Sequence, residues 1–178
     1  MVIITSQALA ATARGVFRRA YSMWMGGFSV RRAELKDVAQ VAEMCHRLWP
    51  EASVAEHRKE MAVLLAGNFP GQMPGIVLVA EEQGGGCIGF IEVDLRSHAD
   101  GCDPSSPVGY IEGWYVAPSY RRRRVGAILV AAAEAWARDY GCTEMASDAW
   151  LDAEDSQRAH EALGFEVVDR CVHYRKNL

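Results

Sequence analysis

Four consecutive arginines stand immediately before a helix-like segment, and they are the densest positive charge in the chain. Pro118 precedes them and Gly126 follows them, so a strand, a sharp turn and the start of a helix meet here. The free N–H groups of a helix N-terminus carry about half a positive charge and attract anions. Arginines beside that charge cost stability unless an anion binds, and a glycine lets the backbone approach the anion closely. These residues predict a pyrophosphate site; a solvated basic turn and a nucleic-acid site are the alternatives.

Acidic residues are concentrated on both sides of this basic turn. Residues 81–112 carry seven acids against one arginine, and residues 142–161 carry six acids against one arginine. Such segregation of charge suits a protein that binds one anionic and one polycationic ligand. Glu112 lies inside an apolar strand, where burying a charged group is unfavourable unless it has a function. Asp148 lies at the end of a strand, so both acids are candidate site residues. The alternative for the remaining acids is a solvated loop or helix face.

The spacing of apolar residues predicts the elements that must position these groups. Alternating or continuous apolar runs predict strands at 28–33, 76–81, 87–95, 108–116 and 143–147, and a final strand or strand pair at 167–174. Apolar residues at helical spacing predict helices from Glu34 to Pro50 and at 53–66, 122–140 and 154–163. Three meandering strands followed by a further helix and strand predict one mixed α/β domain whose sheet contains one parallel pair.

The composition is that of a single globular domain. The chain has 178 residues, of which 50% are apolar and 24% are charged, and its net charge is −4. That balance argues against a globally basic nucleic-acid binder, and the lack of an apolar run of about 18 residues argues against a membrane span. Five widely spaced cysteines without a CxxC pair predict reduced, buried thiols in the cytoplasm rather than a disulfide framework or a metal site.

The first 27 residues differ in composition from the rest, because they contain three arginines and no acid. Such a segment could be a transit peptide, which is rich in arginine and poor in acids. We interpret it instead as a dispensable N-terminal extension. The domain is therefore expected to cover residues 28–178.

The basic turn also follows a recognisable pattern. The block V-x-P-x-Y-R-x-x-x-V-G at 116–126 resembles motif A of the GCN5-related N-acetyltransferases, whose loop cradles the pyrophosphate of acetyl-coenzyme A. Arg121 and Gly126 match the ends of the motif, whereas Arg124 stands where its first glycine is usual. The resemblance implies the GNAT fold, which is a mixed, mostly antiparallel central sheet with helices on both faces and a splayed parallel strand pair.

Further blocks within residues 28–178 resemble one branch of that family, the aminoglycoside 6′-N-acetyltransferases. They occur in the right order and are RLWP at 47–50, GCD at 101–103, EG at 112–113, EMASD at 144–148, HEALGF at 160–165 and YRK at 174–176. The resemblance implies transfer of an acetyl group from acetyl-coenzyme A to the 6′-amine of an aminoglycoside, which confers antibiotic resistance. It also implies a homodimer.

The same resemblance assigns roles to individual residues. Those that would contact the cationic substrate are Trp49, His98, Glu112, Asp148 and Asp169. Those that would hold acetyl-coenzyme A are Trp114, Tyr115, Val116, Arg121, Arg122, Arg123, Arg124, Val125, Gly126 and Ala127. His160 occupies the position of a general-acid tyrosine in many relatives, and Ala153 replaces an asparagine that often contacts the cofactor.

The expected mechanism is direct attack of the substrate amine on the thioester. The N–H group of Val116 would polarise the thioester carbonyl, and Glu112, directly or through a water, would deprotonate the amine. His160 or solvent would return a proton to the leaving thiolate, with no metal and no covalent intermediate on a cysteine. Three alternatives remain open: acetylation of another amine such as a protein N-terminus or a polyamine, a non-catalytic acyl-coenzyme A module, and a nucleic-acid module.

Overall fold

A five-stranded mixed sheet forms the centre of the protein, whose computed structural model describes residues 27–177. The strands lie in chain order and are β1 (Phe28–Arg32), β2 (Gly75–Glu82), β3 (Cys87–Arg96), β4 (Val108–Val116) and β5 (Glu144–Ser147). Strands β1 to β4 pair in antiparallel fashion, whereas β5 runs parallel to β4. The predicted mixed, mostly antiparallel sheet with one parallel pair is therefore confirmed.

The described part of the chain contains four α-helices and two short 3-10 turns. The helices are α1 (Val38–Leu48), α2 (Val54–Leu65), α3 (Val125–Asp139) and α4 (Glu154–Glu161). The 3-10 turns, Leu35–Asp37 and Pro118–Tyr120, precede α1 and α3. A capping box starts α2, because the Ser53 hydroxyl accepts the Glu56 N–H and the Glu56 carboxylate accepts the Ser53 N–H.

Apolar cores lie on both faces of the sheet. On one face, Trp136 of α3 packs with Ile91 of β3. On the other face, Val41 of α1 and Met61 of α2 pack with Phe90 of β3. Burial of these side chains fixes the helices against opposite sides of one sheet, which confirms the helices expected on both faces.

The parallel pair opens into a cleft. Ile111 lies opposite Ser147, which is the last residue of β5. Strand β4 continues to Val116, so within residues 27–177 the segment 112–116 has no strand beside it on that edge. Backbone N–H and C=O groups on such an edge can bond a ligand. The predicted parallel pair is thus present, and the part of β4 that extends beyond β5 lies next to the basic turn.

The helix predicted from residue 122 begins only at Val125. Arg122 and Arg124 have φ angles of 60° and 65°, in the left-handed region that a continuing α-helix does not allow. The helix predicted from Glu34 likewise starts with the 3-10 turn and becomes α-helical at Val38. Helical spacing of apolar residues locates both helices correctly but not their first turns.

The prediction of a final strand or strand pair at 167–174 is wrong. Residues 165–177 form neither helix nor strand, and Val167, Val168 and Val172 are exposed. An alternating apolar pattern makes a strand only where a partner supplies the hydrogen-bond ladder, and no described strand pairs with this segment. The predicted extension at 1–27 lies outside the described residues except for residue 27. Among the helices described, none is both long and apolar enough to cross a membrane.

Candidate functional site

The basic turn lies directly before α3. All four arginines, 121–124, are exposed, and the first helical bond runs from the Ile128 N–H to the Arg124 carbonyl at 3.0 Å. The N–H groups of Val125, Gly126 and Ala127 therefore have no carbonyl partner within the helix. Three backbone donors and four guanidinium groups around one helix end are the chemistry that a pyrophosphate needs.

The packing around residue 126 requires a glycine, which the sequence did not indicate. A Cβ atom at this position would lie 2.6 Å from the indole ring of Trp114, which is closer than real Cβ contacts allow. The glycine thus lets the first turn of α3 sit on the Trp114 ring of β4. Its proposed closeness to a phosphate comes in addition to this packing role.

The free edge of β4 leads from the basic turn towards the acids. The Ala117 N–H donates to the Ile88 carbonyl of β3 at 2.9 Å. Because neighbouring residues of a strand point their N–H groups to opposite sides, the Val116 N–H faces the cleft. The Val116 carbonyl accepts a bond from Arg121 Nε at 3.1 Å. Val116 therefore connects the arginine turn with the open edge of the sheet.

A β-bulge places Glu112. Glu92 of β3 lies opposite Gly113, but the next residue, Val93, lies opposite Ile111, so Glu112 is the extra residue in β4. Bulges are frequent beside active sites, where they redirect a side chain. The Glu112 carboxylate accepts bonds from Arg96 Nη2 at 2.6 Å and Arg96 Nε at 3.1 Å. Both bonds go to Oε1, which leaves Oε2 for another donor.

Tyr110 lies between Asp148 and the arginine that holds Glu112. The Arg96 guanidinium that holds Glu112 lies over the Tyr110 ring, 3.3 Å from its centroid. Burial raises the pKa of the Tyr110 phenol, and the nearby Asp148 carboxylate raises it further. Glu112 and Asp148 are thus gathered at one corner of the cleft around a stacked arginine and tyrosine.

Trp49 follows α1 and covers β4 beside the bulge. A Cβ atom at Gly113 would collide with the Trp49 ring, so the outer edge of the indole lies against the backbone there. The Trp49 carbonyl accepts a bond from His57 Nε2 at 3.0 Å, and the Trp49 ring makes an edge contact with Phe90. Trp49 is therefore held as a wall next to Glu112.

His160 lies at the opposite side of the cleft mouth, and both of its nitrogens have partners. Nδ1 donates to the Ser156 carbonyl at 2.8 Å, which leaves Nε2 to accept the Ser147 hydroxyl at 3.0 Å in the neutral ring. The imidazole also makes edge contacts with Trp114 and Phe165. His160 can therefore exchange a proton with the cleft through Ser147, the last residue of β5.

His98 and Asp169 are both exposed to solvent. The His98 side chain is 64% exposed and its Nε2 lies 3.7 Å from Asp100. Asp169 is exposed, and the preceding Val168 packs on Gly101 of the same loop as His98. Within residues 27–177, no described hydrogen bond or ion pair connects either side chain to Glu112 or Asp148.

Two acids of β3, Glu92 and Asp94, were not singled out from the sequence. Burial raises the pKa of Glu92 to about 7 and that of Asp94 to about 6, and neighbouring carboxylates add to both shifts. Asp94 is only 7% exposed, and its Oδ1 has no hydrogen-bond partner in the described structure. The signal was the one used for Glu112, a charge inside an apolar strand. No group of three or more potential metal ligands occurs in the described part of the chain.

Comparison with known proteins shows the family of the chain. The profile of the acetyltransferase (GNAT) family matches residues 41–165. The chain belongs to this family. An aminoglycoside N(6')-acetyltransferase type 1 from Klebsiella aerogenes is 44% identical over 149 residues, which are 84% of this GNAT chain and 96% of the relative. A protein of the same name from Stenotrophomonas maltophilia is 39% identical, over 84% of this chain and 94% of its own length.

Solved structures resemble this GNAT chain over nearly their whole length. The aminoglycoside 6′-N-acetyltransferase AAC(6')-Ih from Acinetobacter baumannii superposes with a TM-score of 0.75 at 31% identity, covering 85% of this chain and 99% of the relative. AAC(6')-Iy in complex with the bisubstrate analogue CoA-S-monomethyl-acetylneamine superposes with a TM-score of 0.73 at 32% identity and the same coverage.

Replacing Arg124 by glycine is expected to distinguish the effect of its charge on cofactor binding from the effect of its backbone strain on stability. The left-handed conformation costs a residue with a Cβ atom roughly 1 kcal/mol, which glycine does not incur. Arg124→Gly should therefore be more stable than Arg124→Gln, which loses the same charge and keeps the strain. Both variants should bind acetyl-coenzyme A up to about fivefold more weakly, because each loses one exposed charge worth up to about 1 kcal/mol.

Thermal unfolding and isothermal calorimetry measure the two effects. Arg138→Gln, at the far end of α3, is the matched control and should leave acetyl-coenzyme A affinity unchanged. Equal affinity of wild type and both Arg124 variants would show that this arginine does not contact the anion.

Proposed function

We propose that this acetyltransferase moves the acetyl group of acetyl-coenzyme A to the 6′-amine of aminoglycosides and thereby confers resistance to them. The observation that carries the proposal is the opposite charge at the two ends of the free β4 edge. The arginine turn lies beside Val116, and the acidic corner lies at Glu112. An anionic donor and a polycationic acceptor would thus meet along residues 112–116. The names of the relatives from Klebsiella and Stenotrophomonas support the same pair of substrates.

The donor half of the site suits acetyl-coenzyme A, which supplies the acetyl group as an activated thioester. The N–H groups of Val125, Gly126 and Ala127, with the four arginines, would hold its pyrophosphate. The backbone of Trp114, Tyr115 and Val116 would hold the pantetheine arm along the open edge. The Val116 N–H, which faces the cleft, would stabilise the negative charge that develops on the thioester oxygen.

The acceptor half would bind and deprotonate the amine. An aminoglycoside amine is largely protonated near pH 7 and must lose a proton before it attacks. Glu112 Oε2, which Arg96 leaves free, would take that proton directly or through a water. Asp148 and the Trp49 ring would orient the sugar, which brings the amine in line with the thioester. We keep His98 and Asp169 as contacts for more distant parts of the substrate.

The leaving thiolate needs a proton, for which His160 is our candidate source. Its Nε2 meets the Ser147 hydroxyl at the cleft mouth. If His160 first takes a proton from solvent, Nε2 donates to the Ser147 oxygen, and the hydroxyl can pass its own proton to the thiolate as it receives the one from the imidazolium, which leaves the neutral ring. Solvent is the competing donor.

A thiol-release assay tests the proposed reaction. With acetyl-coenzyme A, the protein should release coenzyme A thiol in the presence of kanamycin or tobramycin and not with an analogue that carries a 6′-hydroxyl group. Spermidine and a peptide with a free N-terminus serve as competing acceptors. If coenzyme A thiol is released only with spermidine or the peptide, the acceptor is another amine and not an aminoglycoside. Acetyl-coenzyme A binding without release to any acceptor would make the protein a non-catalytic module.

We also propose a cytoplasmic homodimer. Large apolar side chains are exposed in and near the C-terminal segment, namely Trp150, Leu151, Val167, Val168, Val172 and Tyr174. A second copy that covered them would remove apolar surface from water. All five cysteines are free thiols, which suits the reducing cytoplasm where acetyl-coenzyme A is available. Sedimentation equilibrium that gave the monomer mass of 19.6 kDa would contradict the dimer.

A further inference from the structure

Tyr120 joins the basic turn to the hairpin between β2 and β3. It is the last residue of the 3-10 turn Pro118–Tyr120 and directly precedes Arg121. Its hydroxyl donates to Oε2 of Glu82, which is the last residue of β2. The Glu82 carboxylate raises the pKa of the Tyr120 phenol, which therefore stays protonated as the donor. Neither residue takes part in the mechanism set out above.

The hairpin holds Glu82 in place. The Glu82 N–H donates to the Gly86 carbonyl at 3.0 Å, and the Gly85 N–H donates to the Glu82 carbonyl at 3.1 Å. A Cβ atom at Gly86 would lie 3.0 Å from Glu82 Oε1, so the carboxylate lies close to the hairpin backbone. Tyr120 is thus bonded to a well-supported side chain on another part of the sheet.

The basic turn needs such an attachment because its conformation is unfavourable in the free protein. Arg122 and Arg124 lie in the left-handed region, with φ angles of 60° and 65°. The four adjacent guanidinium groups repel one another, and they lie beside the positive end of α3. Arg123 Cζ lies over the Tyr120 ring, 5.5 Å from its centroid, which is within reach of a cation–π contact. The ring that Glu82 holds therefore also holds one of the arginines.

We propose that Glu82 and Tyr120 are positioning residues, which keep the basic turn in the conformation that binds the pyrophosphate of acetyl-coenzyme A. This inference rests on the donor half of the proposed function, and it does not depend on which amine accepts the acetyl group. A protein that adopts its binding conformation only part of the time binds its ligand more weakly by that fraction. Loss of the bond therefore weakens binding, whereas removal of the Glu82 charge alone would strengthen the binding of an anion. The two effects have opposite signs.

Isothermal calorimetry of acetyl-coenzyme A binding tests the pair. Tyr120→Phe, which loses the hydroxyl and keeps the ring, and Glu82→Ala should each bind about fivefold more weakly than wild type. The double variant should bind no more weakly than either single variant, because the same bond is already lost. Glu82→Gln, whose amide oxygen can still accept the phenol hydrogen bond, should stay within about twofold of wild type. Glu43→Ala, which removes an exposed acid of α1 paired with Arg58, is the surface control and should bind as wild type.

Limited proteolysis of the ligand-free protein measures how often the basic turn opens, because trypsin cleaves after arginine. Tyr120→Phe and Glu82→Ala should be cleaved about threefold faster than wild type at residues 121–124. Cleavage after Arg47 of α1 and Arg138 of α3 should not change. A merely structural role for the bond would raise cleavage at all of these sites alike.

Three results would each overturn the positioning role. They are unchanged or tighter acetyl-coenzyme A binding by Tyr120→Phe or Glu82→Ala, additive losses in the double variant, and a uniform rise in tryptic cleavage. If the variants behave as expected and wild type releases no thiol with kanamycin or tobramycin, the aminoglycoside proposal fails and the positioning role stands.

Discussion

Glu112→Gln is expected to lower kcat for acetyl transfer to kanamycin by about 10²-fold. The amide has nearly the same shape as the carboxylate, so the β-bulge and one bond from Arg96 can persist. It cannot accept a proton from the substrate ammonium, and general-base catalysis contributes about 10²–10⁴-fold to such reactions. The measurement is thiol release at saturating kanamycin and acetyl-coenzyme A.

The pattern of kinetic changes distinguishes a base from a binding residue. A lost base lowers kcat and leaves the affinity for acetyl-coenzyme A unchanged, since the arginine turn is not altered. Glu43→Gln on α1, an exposed acid paired with Arg58, is the surface control and should keep full turnover. Unchanged kcat with a raised KM in Glu112→Gln would make Glu112 a binding residue only, and the base would have to be sought among the other acids of the corner.

The elements of the fold could be predicted from the sequence because apolar periodicity is a local signal. The strands at 87–95 and 108–116 are correct to within one residue, and the helices near Val41 and Trp136 were located by their buried faces. The basic turn was also predictable, because Pro118 and Gly126 mark its two ends. The strand at 167–174 was not, since pairing depends on a distant partner that the segment itself does not specify.

Only part of the candidate site could be predicted from the sequence, for the same reason. Glu112 was recognisable as a charge in an apolar strand, but the bulge that exposes it depends on the register between β3 and β4. The ion pair with Arg96 and the partner of His160 are likewise contacts between distant segments. Glu92 carried the same local signal as Glu112, yet its significance depends on how many carboxylates the folded sheet brings together.

Glu92→Gln is expected to stabilise the free protein, and the gain should grow with pH. Burial raises the pKa of Glu92 from 4.5 to about 7 in the folded chain. Below pH 4.5 both folded and unfolded states hold the proton, so the carboxyl costs nothing. As pH rises from 4.5 to 7 the unfolded state ionises first, and the folded state loses stability up to on the order of 3 kcal/mol. Glutamine does not ionise and avoids that loss.

Urea unfolding of the ligand-free protein at pH 5 and at pH 8 measures this effect. The difference in free energy of unfolding between Glu92→Gln and wild type should be small at pH 5 and approach its maximum at pH 8. Glu134→Gln, whose carboxylate is paired with Arg138 on the surface of α3, should change stability by less than about 0.5 kcal/mol at either pH. If this difference does not vary with pH, the pKa of Glu92 is not raised by burial in the folded protein.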